Sequence, residues 1–183
     1  MTLSWPVNIW IDGKPGKQGS KRIVPHVARM RKDGVLAHLG GAEWIRIRDI
    51  VRYTLVLDDD RSNKAWREHV VGVFTDLVSI DAPLDEPVFV IATFYRPRPK
   101  DHFTSKGELS AKGKRTPKPV TKPDTFKMMR SIEDALSGHL WSDDSRICDH
   151  VIRKRWSDDQ QEGVHLLVWP DSECPVEVRS NDT

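Results

Sequence analysis

Cysteine is nearly absent from this chain: two residues in 183, Cys148 and Cys174. Two thiols so far apart suggest neither a disulfide scaffold nor a zinc site, and make a reducing, cytoplasmic setting the expectation. No apolar run approaches the ~18–20 residues of a membrane span. The first residues also lack the basic-then-apolar pattern of a secretory leader. No internal repeat is visible. An excess of one charge is missing too: 29 Lys and Arg face 27 Asp and Glu, a net of +2. The placement of charge therefore says more than its sum. The seven histidines show no metal-ligand spacing, such as two on one helix face with an acid between them. No motif pairs a nucleophile with a base, and only His139 lies near an acidic turn.

With 38% hydrophobic residues, the chain suits one domain with a sizeable core. The expected fold is α+β: a single domain with a mixed β-sheet and two main helices packed on it. Trp5 to Ile11 alternates apolar and polar positions and then turns at Asp12-Gly13, which predicts a first strand. Residues 14–32 hold Lys14, Lys17, Lys21, Arg22, Arg29, Arg31 and Lys32 with no acid before Asp33. They read either as a solvated loop or as a phosphate-contacting arm. Val35–Leu39 and Trp44–Ile50, divided by Gly40-Gly41, suggest a hairpin. Asp58-Asp59-Asp60 is expected to cap the helix after it, because a helix N-terminus favours negative charge. That helix, over 62–79, carries Trp66, Val70, Val73, Phe74 and Leu77 on one face. Pro87–Phe94 is a continuous apolar run suited to a doubly covered strand.

Residues 97–121 hold prolines, glycines and lysines with few apolar side chains. They predict a mobile basic loop, either a surface insertion or a flap that orders on nucleic acid. Arg146–Trp156 and Gly163–Trp169 read as strands, with Asp158 and Asp159 solvated between them. Residues 171–183 read as a polar tail.

The densest chemistry lies in KPDTFKMMRSIEDALSGHLWSDDSRICDHVIRKRW, Lys122 to Trp156. Asp124 is a good cap for a helix start, and Gly138 a natural stop. Phe126, Met129, Ile132 and Leu136, with Ala135, recur at helical spacing and predict a buried stripe. Lys127, Arg130, Ser131 and Asp134 fall on another face. Asp143-Asp144 follow in the turn after Trp141. Taken alone, such an acidic pair is as readily a turn signal as a ligand pair.

Together these residues resemble the RusA-like Holliday junction resolvases, metal-dependent endonucleases common in phages and prophages. The matching positions are Lys122-Pro123-Asp124, Asp134-Ala135-Leu136, Gly138, Trp141, Asp143-Asp144, and Asp149 with Arg153 and Lys154. The resemblance covers about 35 residues densely, and the basic flanks weakly. It implies a single RusA-like endonuclease domain over 1–170, with the basic arm at 14–32, the loop at 97–121 and the tail at 171–183. It implies Asp124, Asp143 and Asp144 as ligands of Mg²⁺ or Mn²⁺, with Arg130 at the position of the family's helix lysine. Branched DNA, four-way junctions above all, is the implied substrate, and a homodimer the implied assembly. Lys17, Lys21, Arg22, Lys122, Lys127 and Arg130 are the expected DNA contacts.

One departure stands out: the family's second aspartate falls at Phe126. Its burial in the apolar stripe is the expected reason. The alternative function is then a branched-DNA-binding protein whose degenerate metal site does not cut, with Glu133 open as a substitute acid. Chemically, hard carboxylate oxygens hold a divalent ion that activates water and shields charge building on the phosphate. Asp124 and Asp134, about 15 Å apart along a regular helix, cannot share one ion. Asp134 is therefore expected to orient Lys127 or Arg130, or to cap a neighbour. Asp149 is expected behind the ligands.

Overall fold

The computed structural model describes residues 5–17, 21–25, 54–58 and 62–180, with side chains from 5–17 and 63–178. The expected hairpin over 35–50, Asp59 and Asp60 lie outside the described residues. The chain divides into two compact units, residues 19–61 and the remainder. In the smaller, β2 (Lys21–Pro25) pairs antiparallel with β3 (Thr54–Asp58). Part of the basic stretch read as loop or arm is thus a strand, because IVP faces LV in a ladder that satisfies its backbone.

The larger unit carries the site. Its strands are β1 (Val7–Asp12), β4 (Val88–Pro97), β5 (Ile147–Ser157) and β6 (Gly163–Pro170), in the order β1-β6-β4-β5. β6 runs antiparallel to β1 and β4, whereas β4 and β5 are parallel. The sheet is mixed and the architecture α+β. A parallel neighbour demands a crossover. Between β4 and β5 the chain passes through α2 (Ala111–Arg115) and α3 (Thr125–Leu136). α1 (Ser62–Leu77) precedes β4.

Both long helices cover the same sheet face. Trp66, Val70 and Phe74 of α1 and Met128, Met129, Ile132, Ala135 and Leu136 of α3 form one core with Val90, Ala92, Phe94, Val164, Leu166 and Val168. Fully burying each large aliphatic here contributes about 1.5–3 kcal/mol. Phe89 and Ile91 face the other way, against Trp169 and Cys174, so β4 is covered on both sides as its apolar run predicts. α3 ends at Leu136, and Gly138 follows at φ +77°, a left-handed conformation that glycine adopts without strain.

Two stretches are more ordered than their composition predicts. Residues 97–121 contain a 3-10 turn (Lys100–His102) and α2, whose Ser110 cap accepts from the Gly113 N–H at 3.2 Å. His102 is buried edge-on to Trp156, and Arg98 lies over the same indole at 5.3 Å. Backbone hydrogen bonds and one aromatic anchor do here what apolar side chains do elsewhere. The tail likewise folds: a 3-10 turn (Asp171–Glu173) and α4 (Val176–Ser180) bring buried Cys174 onto Trp169. Among the described residues, no helix is long and apolar enough to cross a membrane.

Candidate nucleic-acid and metal site

The site is built around α3, whose two ends differ in charge. At its start, Arg96 donates to the Lys122 carbonyl at 3.0 Å. Lys154 Nζ donates to the Thr121 and Pro123 carbonyls at 2.7 and 3.1 Å. Two sheet cations thereby fix the entry into the helix. Arg96 Nε also approaches Glu162 Oε1 at 2.9 Å, an ion pair whose angle falls short of a hydrogen bond. Lys14, Lys17, Arg96 and Lys122, with Pro15 and Pro123, line a cavity of about 390 Å³. Four cations in one concavity suit a phosphate. Lys17 and Lys122 were expected to contact DNA. Lys14 and Arg96 join them because β1 and β4 end beside the helix entry, a juxtaposition that local spacing does not encode.

Asp124 occupies the N-cap position but makes no side-chain capping bond, so its carboxylate is not committed to the helix. It lies in the field of Lys154, whose pKa falls mainly by burial and then by the nearby Arg96, with Asp124 opposing.

At the other end, Asp143 Oδ1 accepts from the Ser145 N–H at 3.0 Å and caps the 3-10 turn Asp144–Arg146. Those hydrogen bonds from Ser145 hold its carboxyl below the usual range. Asp144 is exposed at the mouth of β5. Glu133, half-buried on α3, has its pKa raised first by burial. Asp144 and Asp134 push it further up, while His150 and Arg130 oppose. Arg130, Glu133, Asp144 and His150 therefore share one neighbourhood.

A group with a raised folded-state pKa contributes stability at low pH that is lost as pH climbs through that value. Glu133→Gln is accordingly expected to remove a fall in stability above the ordinary glutamate range of 4.5. At neutral pH the variant should be no less stable than the parent. Urea titrations at several pH values check this; an unchanged pH profile sinks it.

Three side chains stand where the sequence did not put them. Phe126 is 69% exposed rather than buried, its ring edge-on to His150 at 6.3 Å. The buried stripe runs instead through Met128 and Met129, because residues 128, 129, 132, 135 and 136 are the ones turned to the sheet. Ser131, grouped with the polar face, is fully buried and donates to Asn63 Oδ1 of α1. Asp134 turns toward α1 and pairs with Arg67 at 3.4 Å, linking the helices. Lys127 and Arg130 are exposed, as is His139. Asp149 is in register with Phe89 and His150 with Val90. Asp149 therefore projects to the face away from α3. Lys21 and Arg22 begin β2, in the other unit.

Among the described residues, no three His, Cys, Asp or Glu side chains converge as a preformed cage. Mg²⁺ does not require one. It commonly takes one or two carboxylates and completes its shell with water and substrate phosphate. The hard oxygens of exposed Asp143 and Asp144 fit that manner of binding. They do not fit an ion held by protein alone.

Two comparisons bear on this arrangement. The family model for Endodeoxyribonuclease RusA matches residues 49–166, a span that includes α1, α3 and the strands β4 and β5. The uncharacterised protein YqaN of Bacillus subtilis (strain 168) is 33% identical over 82 residues, 45% of this chain and 56% of the relative. The chain thus spans little more than half the length of that relative. With the matched span covering well over half of the present sequence, this chain belongs to the RusA endodeoxyribonuclease family.

Proposed function

We propose that this protein is an endonuclease for branched DNA, four-way junctions foremost, working with Mg²⁺ or Mn²⁺ as a homodimer in the cytoplasm of a bacterial or phage-infected cell. The observation that carries this reading is the exposed Asp143–Asp144 pair beside the Arg130–Glu133 face of α3, in a chain of an endodeoxyribonuclease family. Asp143 and Asp144 are the residues that would hold the ion, whereas Asp124, expected as a third ligand, stands at the opposite end of α3 from them. The bound ion supplies an activated water and shields the phosphate. Arg130, which shares the neighbourhood of Glu133 with Asp144, would neutralise a phosphate oxygen. Lys17, Lys122 and Lys127 would track the backbone and make binding salt-dependent, and Lys21 and Arg22 of the smaller unit would each add a phosphate contact of their own. A four-way junction offers two strands for symmetric cutting, and a two-fold dimer brings two matching sites.

A second reading, binding without cutting, is favoured by one observation: an exposed phenylalanine stands where the family has an acid. A labelled four-way junction incubated with Mg²⁺, Mn²⁺ or chelator separates the two. Symmetric nicks only with metal support the endonuclease. Tight, salt-sensitive binding with no nicks supports the second reading, and Phe126→Asp is then expected to gain cleavage. No preference for the junction over duplex sinks both.

A further inference from the structure

Among the described residues, no packing duty accounts for the ring of Phe126. It adds nothing to the core, and it sits 69% exposed on the first turn of α3. Water contact on a phenyl ring is unfavourable, by up to the ~1.5–3 kcal/mol that full burial would return. A polar residue would serve an idle surface position better. Cations predominate near it: exposed Lys122, Lys127 and Arg130 on the same segment, against the one exposed acid Asp124, and the cavity of Lys14, Lys17, Arg96 and Lys122 just before it. His150 meets the ring at an interplanar angle of 78° and leaves most of it uncovered. An aromatic surface among phosphate-binding cations is the combination that holds unpaired nucleotides, since every base has a face to stack and a phosphate to neutralise.

Resting on the branched-DNA reading above, we propose that Phe126 stacks on an unpaired or unstacked base at the branch point. A phosphate of the same strand lies in the Lys14–Lys17–Arg96–Lys122 cavity. Duplex DNA keeps its bases stacked inside and offers this ring nothing. The residue that departs from the family's acid would thus supply preference for branched over linear DNA.

The test uses the full chain in chelator, so that binding is read without cleavage. Anisotropy titrations compare a four-way junction with a duplex of the same sequence, for the parent, Phe126→Ala and Phe126→Trp. The junctions carry 2-aminopurine at each branch-point position in turn. Phe126→Ala is expected to bind the junction about tenfold more weakly, in line with the loss of one stacked base. Its duplex affinity should shift less than twofold, and Phe126→Trp should bind like the parent. The 2-aminopurine signal at one branch position should change with the parent and not with Phe126→Ala. Equal junction affinity for parent and alanine variant overturns the proposal while leaving junction binding intact. So does an equal loss on junction and duplex. Sedimentation adds a further check: if Phe126→Ala dissolves a dimer, the ring belongs to an interface between copies and the stacking role falls. A parent that does not prefer junctions removes the branched-DNA reading and the stacking role together.

Discussion

Asp144→Asn is expected to lower the rate of metal-dependent junction cleavage about a thousandfold or more. A ligand carboxylate that helps a divalent ion activate water contributes several kcal/mol to the transition state, and each ~1.4 kcal/mol is tenfold in rate. The amide keeps the shape of the turn. Asp144 is exposed, and the cap on its turn comes from Asp143, so the fold has little reason to change. Junction affinity in chelator should stay within about threefold, or rise slightly, because removing a negative charge beside DNA phosphate is favourable. Asp143→Asn is expected to cut less deeply into the rate, since its Oδ1 is already committed to the Ser145 N–H. A parent-like rate for Asp144→Asn would take this residue out of the reaction.

Trp141→Ala is expected to destabilise the protein by about 3–5 kcal/mol, the usual cost of deleting a buried aromatic and leaving its cavity. The ring is fully buried. Its Nε1 donates to Ser137 Oγ at 3.3 Å. The chain around it is tied to Leu84 through Leu84 N–H to the Leu140 carbonyl and Ser142 N–H to the Leu84 carbonyl, at 2.9 and 2.8 Å. Trp141 thus pins the short link from the end of α3 to Asp143 and Asp144. Against a typical total stability of ~5–15 kcal/mol, the loss is large, and the midpoint in urea should drop accordingly. Cleavage should suffer even where the variant is still folded, because the acidic turn loses its anchor. A cost under about 1 kcal/mol would mean that the turn is held by something else.

The elements that came through from the sequence are those with local causes. β4 and β6 announce themselves by apolar runs, and α3 by its spacing and its glycine stop at Gly138. What failed did so where the cause was distant. Residues 97–121 look unfoldable until Trp156, on β5, is placed beside His102 and Arg98. Ser131 looks like a surface residue until Asn63 arrives from another helix to receive its hydroxyl. Asp134 looks like a partner for its own helix until α1 brings Arg67.

Sequence by itself determined the family and the α+β class. Those are matters of residue type and near spacing, and both are written along the chain. Only the tertiary structure decided which way Phe126 points, and that Lys14 and Arg96 share a cavity with Lys17 and Lys122. It also decided that Glu133 lies in the field of Asp144. The reason is geometric. A helix at 3.6 residues per turn leaves the angle of its apolar stripe open by a residue or so, until the sheet beneath it selects the side chains to bury.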